Sequence, residues 1–201
     1  SFEHLFGTDR LGRDMFARVL EGGQTSLIIG FLAASISSIV GLFIGINAGY
    51  FKGNIDKTIT IMIDLFLTFP TFFLLLALVS YIQASALILI IVISITSWMG
   101  MARMIRSESF AIGNKPFIKI LKVANVSTFK IIFKYFAPLL APIFLISFTF
   151  GVGGSILAES GLSFLGLGIN PPSMSWGSLL SDGKAVIDIA WWVSFFPGFM
   201  I

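Results

Sequence analysis

Residues 26–50 contain no charged side chain, and this uninterrupted apolar stretch limits the fold more than any other feature of the sequence. A membrane-spanning helix needs about 20 predominantly apolar residues. The chain of 201 residues is 56% hydrophobic and only 11% charged, so a soluble fold would leave a large apolar surface in water. The sequence therefore predicts an all-α integral membrane protein.

Hydropathy predicts four complete spans and a truncated fifth. Their bounds are Ser26–Tyr50, Leu65–Ile82, Ala86–Ala102, Leu139–Ala158 and, for the truncated span, Ile187–Ile201. Residues 83–85 form the turn between the second and third spans. The chain starts without Met, residues 1–24 do not resemble a signal peptide, and the last run is shorter than a span. We therefore expect a piece of a longer protein that forms one membrane domain.

Positive charge is concentrated in residues 103–136, between the third and fourth spans. This segment has one acid, Glu108, against these basic residues: Arg103, Arg106, Lys115, Lys119, Lys122, Lys130 and Lys134. Because Lys and Arg accumulate in cytoplasmic loops, we expect residues 103–136 to be cytoplasmic. By parity, residues 160–184 and the amino-terminal stretch are extracytoplasmic.

Two predicted spans carry small residues at helical spacing. The first has Gly41, Gly45 and Gly49 on one face, and the fourth has Gly151 and Ser155. Such faces allow two helices to approach closely, so they are either packing seams or the lining of a translocation path or gate. The acids at span ends, Asp64 and Glu159, are expected to be interfacial anchors that reach headgroups or water.

The sequence lacks the residues that several kinds of catalytic and binding site require. His4 is the single histidine, which argues against a Ser-His hydrolase, and there is no cysteine. No G-x-x-x-x-G-K-[ST] phosphate-binding loop occurs, so any ATP must be bound by a partner. We therefore expect a non-catalytic protein with no cofactor, no metal site and no nucleic-acid partner.

Residues 113–138, called the elbow below, are too charged to span and are predicted to form two amphipathic helices. The first would begin at Pro116 and end at a left-handed Asn125, and Ser127 would cap the second. Their apolar positions are Phe117, Ile120, Leu121 and Ala124, then Phe129, Ile132, Phe133 and Phe136. Such helices lie on a membrane surface or dock in a groove of another protein, and periodicity alone leaves both open.

Three segments carry a family resemblance. HLFGTDRLGRDMFARVLEGGQTSL (4–27), AGYFKGNIDKTI with DLFLTFP (48–70) and GGSILAESGLSFLGLGINPPSMSWGSLL (153–180) resemble, in order, the C-type (DppC/OppC/NikC-like) permease subunit of bacterial ABC importers for dipeptides, oligopeptides and nickel. The resemblance implies a type I ABC importer permease (MetI-like) helical bundle with six spans, the first and the end of the last lying outside this chain.

The resemblance also implies a role for the elbow, because the family's cytoplasmic loop carries an E-A-A-x-x-x-G motif that docks on the ATP-binding subunit. Here E-A-A falls on Lys119, Ile120 and Leu121, and the Gly falls on Asn125, so both the Glu and the Gly are replaced. The docking residues implied are Phe117, Lys119, Ile120, Leu121, Ala124 and Asn125.

The implied partners are a homologous B-type permease subunit, two ATP-binding subunits, an extracytoplasmic substrate-binding protein that contacts residues 160–184, and the lipid bilayer. The implied location is the bacterial cytoplasmic (inner) membrane, with a multi-pass topology. Peptide uptake is expected, with nickel uptake as the alternative within the family. The alternative outside the family is a channel or a secondary transporter. The predicted spans argue against it, because they lack ionisable residues at mid-membrane for ion coupling.

Overall fold

The computed structural model describes residues 4–82 and 85–201, and these residues are largely helical and contain no β-strand. The helices are α1 Met15–Phe51, α2 Gly53–Thr68, α3 Thr71–Ser80, α4 Ala86–Gly113, α5 Pro116–Val123, α6 Thr128–Ile131, α7 Ala137–Phe164, α8 Trp176–Lys184 and α9 Trp192–Met200. A π-helical turn, Ile132–Phe136, joins α6 to α7. Of the predicted turn 83–85, Gln83 and Ala84 lie outside the described residues.

Two helices extend beyond the predicted spans. Helix α1 begins at Met15 rather than Ser26, because Met15 and Val19 are buried and belong to an apolar cluster of their own. Helix α4 continues past Ala102 to Gly113, so Arg103 and Arg106 are helical rather than part of a loop. Hydropathy located the apolar centre of each helix correctly, but it gave no signal for these polar ends.

The predicted second span is a broken helix. Helix α2 ends at Thr68, Phe69 is extended with φ −86° and ψ 131°, and α3 begins after Pro70. Proline disfavours the helical conformation of the residue before it, which accounts for the break. Three helical segments are each long and apolar enough to cross a membrane: α1, α4 and the run Thr128–Phe164. The α2–α3 pair is long enough to cross only if its two helices are counted as one broken span.

The helices form two compact units, each with its own core. The first consists of the residues up to Ala33, Phe72–Ser94 and Val152–Ile201. One of its clusters joins α1, α3, α4 and α7 through buried residues that include Ile29, Leu75, Ile93 and Leu162. A second cluster includes Met15, Val19, Ile156, Trp176, Leu179 and Val193, and it packs α8 and α9 onto the start of α1.

The second unit consists of Ala34–Thr71 and Ile95–Gly151. Its main cluster includes Ile46 and Tyr50 of α1, Ile105 and Ile112 of α4, Ile118 of α5 and Phe136 of the π-helical turn. Burial of each such side chain contributes about 1.5–3 kcal/mol relative to exposure in water. The elbow is therefore held by side chains of α1 and α4 and belongs to the same core.

The stretch before α1 is organised around Asp9, whose side chain is only 3% exposed. Its carboxylate accepts hydrogen bonds from the backbone N–H groups of Leu11 (2.8 Å) and Arg13 (2.9 Å). It also pairs with Arg13 Nε at 2.7 Å and with Arg18 Nη1 at 2.5 Å. Burial opposes ionisation of this carboxyl, but the hydrogen bonds and charge of Arg13 and the N–H of Leu11 keep the pKa of Asp9 below its ordinary value.

Candidate functional site

Helix α5 has the ends that its sequence predicts. Pro116 occupies the first helical position, and Asn125 has the left-handed φ of +55°. The N–H of Asn125 donates to the carbonyl of Lys122 (3.1 Å), and the N–H of Val126 donates to that of Leu121 (3.0 Å). These two bonds form a Schellman motif, with Leu121 and Val126 packed against the same core. The predicted bend at Asn125 is therefore confirmed.

The predicted apolar stripe of α5 is not the face that packs inward. Ile118 is fully buried in the core of the second unit, with Leu121 partly buried beside it. Phe117 is 40% exposed, Ile120 66% and Val123 84%. The helix therefore has apolar residues on two faces, and only one of them is covered by this chain. Ile118 and Val123 were missed because each lies outside the single i, i+3, i+4 set taken from the sequence.

The second half of the elbow corrects two expectations. Ser127 stands at the N-cap of α6, but its side chain makes no capping hydrogen bond. The predicted stripe is also divided, because the buried residues are Ile131 and Phe136 whereas Phe129 and Phe133 are 70% and 62% exposed. The π-helical turn places i and i+5 on one side, so the 3.6-residue period that predicted the stripe does not hold here.

The lysines of the elbow differ in their surroundings. Lys122 Nζ lies 4.2 Å from the ring centroid of Tyr50, a cation–π contact that holds this side chain toward its own unit. Lys115 and Lys119 are exposed, and neither forms an ion pair with any residue that the structure describes. The outward surface of α5 is thus apolar at Ile120 and Val123 and positive at Lys119.

Ion pairs brace α2 against α4 in the same unit. Arg103 Nη2 lies 2.5 Å from Asp64 Oδ1, and Arg106 binds the carboxylate of Asp56 through two nitrogens. Lys52 Nζ donates to Asn114 Oδ1 at 2.6 Å. Asp64, which the sequence predicts to be an interfacial anchor, is thus also the partner of an arginine. These contacts position α4 directly before α5.

The small-residue face of α1 is filled by α4. A Cβ added to Gly41, Gly45 or Gly49 would lie 2.7 Å from Met101 Cβ, 2.7 Å from the Ala102 carbonyl oxygen and 2.5 Å from Ser109 Cβ, respectively. This geometry is that of a close helix-packing seam. A role for these glycines as path lining would require α1 and α4 to separate, and it stays a prediction.

The small residues of α7 lie in more open surroundings. Ser155 is buried, and a Cβ at Gly151 would make ordinary contact with Ala34 Cβ at 3.8 Å. A Cβ at Gly153 or Gly154 would meet no described atom within 4 Å. Gly153 and Gly154 are thus exposed, whereas the predicted Gly151 is half-buried and Ser155 is buried. A role of Gly151 and Ser155 in a path stays a prediction.

The predicted extracytoplasmic segment 160–184 is more ordered than its Gly/Ser/Pro composition suggests. Helix α7 continues to Phe164, and α8 occupies 176–184 with a capping box between Ser175 and Ser178. The indole Nε1 of Trp176 donates to the Val19 carbonyl at 2.9 Å. Glu159, expected to reach headgroups or water, is instead fully buried at the end of α7, where serine hydroxyls surround its carboxylate.

Within residues 4–82 and 85–201, no group of three or more His, Cys, Asp or Glu side chains is placed to hold a metal ion. The exposed apolar surface of the elbow is suited to contact with another molecule. The candidate site is therefore this surface, formed by Phe117, Lys119, Ile120, Val123, Ala124 and Asn125, with Leu121 directed into the core behind it.

Comparison with known proteins identifies relatives along the whole chain. A family model described as "Binding-protein-dependent transport system inner membrane component" matches residues 37–201. The oligopeptide transport system permease protein OppC of Haemophilus influenzae is 36% identical over 198 residues, covering 98% of this chain and 64% of the relative. The dipeptide transport system permease protein DppC of Bacillus subtilis is 37% identical over 202 residues, covering 100% and 63%. The chain thus spans somewhat less than two thirds of these curated relatives.

A solved structure shares the fold. The chain aligned with this one comes from inward-facing conformations of the MetNI methionine ABC transporter. It matches with a TM-score of 0.68 at 13% sequence identity, over 92% of this chain and 95% of its own length. At this identity the likeness shows the fold alone. The predicted all-α type I importer permease bundle is confirmed.

Proposed function

The chain belongs to the family of binding-protein-dependent transport system inner membrane components, and from that premise we propose that it is the membrane-spanning subunit of an ATP-driven peptide importer. In this proposal it forms half of the translocation path, and its elbow docks on an ATP-binding subunit. It is a multi-pass protein of the bacterial cytoplasmic membrane. It changes conformation during transport, while its partner subunits hydrolyse ATP.

The observation that carries the docking proposal is the second apolar face of α5. Ile118 already anchors the helix to its own core, yet Ile120 and Val123 remain 66% and 84% exposed on the opposite side. An amphipathic helix that rested on a single chain would need only the first face. The outward face is suited to a groove on another protein, which is the helix-in-groove mode of recognition.

The surroundings of α5 favour a protein partner over the membrane surface. Lys122 is exposed, but its ammonium group is held against the ring of Tyr50, which draws it away from Lys115 and Lys119. The ion pairs of Arg103 and Arg106 and the Schellman motif at Asn125 fix the direction of α5. A helix held in this way can transmit a displacement of the groove into α4 and the core of its unit.

The assembly that we propose contains a homologous B-type permease, two ATP-binding subunits and an extracytoplasmic binding protein. The face of α7 at Gly153 and Gly154 is not covered by described atoms, so it leaves room for a further subunit or for the translocation path beside this helix. Peptide is the substrate class that the names of the OppC and DppC relatives favour. Residues 160–184 provide a contact surface for the substrate-loaded binding protein.

The docking proposal is tested with Ile120→Asp in the full-length subunit of the assembled transporter. We expect the ATP-binding subunits to be retained poorly on purification and dipeptide uptake by proteoliposomes to fall at least about tenfold, because a charge would enter an apolar groove. Leu11→Asp, at an exposed leucine before α1, is the matched control and should leave both unchanged. Full uptake by Ile120→Asp would refute docking through this face.

The substrate class needs a separate experiment. ATPase activity of the reconstituted transporter is measured while its binding protein, loaded either with a dipeptide or with Ni²⁺, is titrated. Stimulation by the dipeptide-loaded form alone is expected. Stimulation by the Ni²⁺-loaded form alone would overturn the peptide assignment and leave the importer assignment intact.

A further inference from the structure

A buried carboxylate lies at the carboxyl-terminal end of α7, within the first unit. Glu159 is 0% exposed, and no Lys, Arg or His among residues 4–82 and 85–201 forms an ion pair with it. Its Oε1 accepts a hydrogen bond from Ser163 Oγ at 2.6 Å. Its Oε2 accepts from Ser26 Oγ at 3.0 Å and from Ser160 Oγ at 3.4 Å. Removing a carboxylate from water costs free energy unless it is well hydrogen-bonded, so these hydroxyl groups stabilise the buried side chain.

The serines also bind the start of α8. Ser26 Oγ accepts a hydrogen bond from the backbone N–H of Trp176 at 3.1 Å. Ser175 Oγ lies 3.3 Å from Ser163 Oγ and accepts the N–H of Ser178 at 3.2 Å. Two routes therefore lead from α8 to Glu159, one through Ser26 and one through Ser175 and Ser163.

The direction of these hydrogen bonds depends on the carboxylate. Ser26 and Ser163 each donate their single hydroxyl hydrogen to an oxygen of this carboxylate. Each of these oxygens is then free to accept, from Trp176 N–H and from Ser175 Oγ respectively. A neutral amide of the same shape would place an NH₂ group against one of these hydroxyls, whose hydrogen would then lose its acceptor, and that route would be weakened.

Close packing makes the same junction rigid. A Cβ added to Gly177 would lie 2.5 Å from both Cα and the carbonyl oxygen of Ser160, next to Glu159 in the sequence. Ser26, Ser163 and Ser175 are all at most 4% exposed. The amino-terminal end of α8 is therefore seated on the ends of α1 and α7 through groups that solvent does not reach.

We propose that Glu159 is a positioning residue of the importer: its carboxylate orients the serines that hold α8 and the preceding loop, residues 170–175, in the one conformation that the substrate-loaded binding protein recognises. This inference rests on the proposed function, in which residues 160–184 contact that protein. Glu159 itself is buried and acts through α8 without touching the partner.

The test uses Glu159→Gln in the full-length subunit of the complete transporter in nanodiscs. Hydrogen exchange of the peptide that contains Ser175, Trp176 and Ser178 should become at least about tenfold faster, because a buried hydrogen bond to the carboxylate is lost. The concentration of dipeptide-loaded binding protein that half-maximally stimulates the ATPase should rise by a similar factor. The maximal stimulated ATPase rate should stay the same, since the variant binds the loaded binding protein more weakly but responds to the bound protein as before.

Ser181→Ala is the matched control. Its hydroxyl donates to the Phe164 carbonyl at 3.1 Å in the same segment but outside the two routes to Glu159. This variant should alter neither exchange at α8 nor the half-maximal concentration. If Glu159→Gln fails to assemble, Ser163→Ala removes one donor, keeps the carboxylate and should shift both readouts in the same direction by less.

The possible failures are separable. Faster exchange with an unchanged half-maximal concentration would show that Glu159 only stabilises α8, and unchanged exchange would show that it does not position α8; either result overturns the inference while leaving the importer intact. Absence of stimulation by the loaded binding protein in the unmodified transporter would instead refute the proposed function on which the inference rests.

Discussion

Helices α5 and α8 are both short, and their exposure is the opposite of what the polarity of their sequences predicts. Helix α5 has an apolar sequence, PFIKILKV, and yet leaves Phe117, Ile120 and Val123 exposed. Helix α8 has a polar sequence, WGSLLSDGK, and yet buries its first two residues, Trp176 and Gly177, together with the N-cap Ser175. The difference shows that the start of α8 is enclosed by its own chain, whereas α5 keeps apolar side chains that its own chain leaves exposed.

The hydrogen-bond inventory supports the same contrast. The polar start of α8 finds its partners in Ser26, Ser163 and Val19. The exposed Lys115 and Lys119 of the elbow have no ion-pair partner among the residues described. Since exposed polar groups can be satisfied by water but exposed apolar groups cannot, the apolar side chains of α5 carry the argument for docking.

The largest expected effect separates the two faces of α5. Ile118→Ala should lower the thermal stability of the transporter, because removing a fully buried side chain costs about 2–5 kcal/mol. Ile120→Ala should change stability by less than about 0.5 kcal/mol while weakening retention of the ATP-binding subunits. Thermal unfolding and co-purification measure the two effects. Equal destabilisation by both substitutions would show that Ile120 is not on a free face.

The next effect tests how tightly α8 is seated. Gly177→Val should destabilise the first unit by about 1–3 kcal/mol, because the added carbons would meet the backbone of Ser160. Limited proteolysis between residues 165 and 184 should become faster. Gly153→Val adds the same carbons where no described atom lies within 4 Å, and it serves as the control. Equal protease resistance in the two variants would contradict close seating.

A smaller effect concerns the acid stability of the stretch before α1. Its Asp9 pairs with Arg18 of α1, and Arg18 Nη2 in turn lies 3.4 Å from Asp182 of α8. The pKa of Asp9 in the folded chain is below its ordinary value of 3.8, so its stabilisation is complete above that pH. It should be lost as the pH falls from about 3.8 through the lower folded pKa. Thermal unfolding at a series of pH values should show this step in the unmodified protein but not in Asp9→Asn.

The smallest effect sharpens the chemistry of the α5 partner. Lys119 is exposed and forms no ion pair with a residue that the structure describes, so Lys119→Glu should alter stability by less than about 0.5 kcal/mol. We expect it to weaken binding of the ATP-binding subunits a few-fold at low salt, because the groove that receives a lysine should carry acidic residues at its rim. The loss should diminish as salt is raised. Tighter binding by the glutamate variant would show that the rim is basic.

Local chemistry explains what could be predicted of the elbow. Pro116 and Asn125 set the ends of α5 because each has a backbone preference that needs no distant contact. Burial could not be assigned in the same way. Ile118 and Ile120 are the same residue type two positions apart, and only the packing of α1 and α4 makes one buried and the other exposed.

Glu159 shows the same limit in the first unit. A lone acid at the end of an apolar run predicts an interfacial anchor, and that prediction is wrong because Ser26, from a distant part of the chain, encloses the carboxylate together with the neighbouring Ser160 and Ser163. Ser26 is separated from Glu159 by 133 positions. Ser160 and Ser163, one and four residues after Glu159 on the same helix, were the local signals of the network.

The sequence by itself determined the membrane class, the apolar centres of the spans, the bend of the elbow and the family, because hydropathy, backbone preferences and motifs are properties of short segments. Only the tertiary structure decided which face of α5 stays open, that α4 fills the glycine face of α1, and that Glu159 is enclosed by serines. Those features depend on contacts between residues far apart in the chain, and no local pattern specifies which of two similar side chains will find a partner.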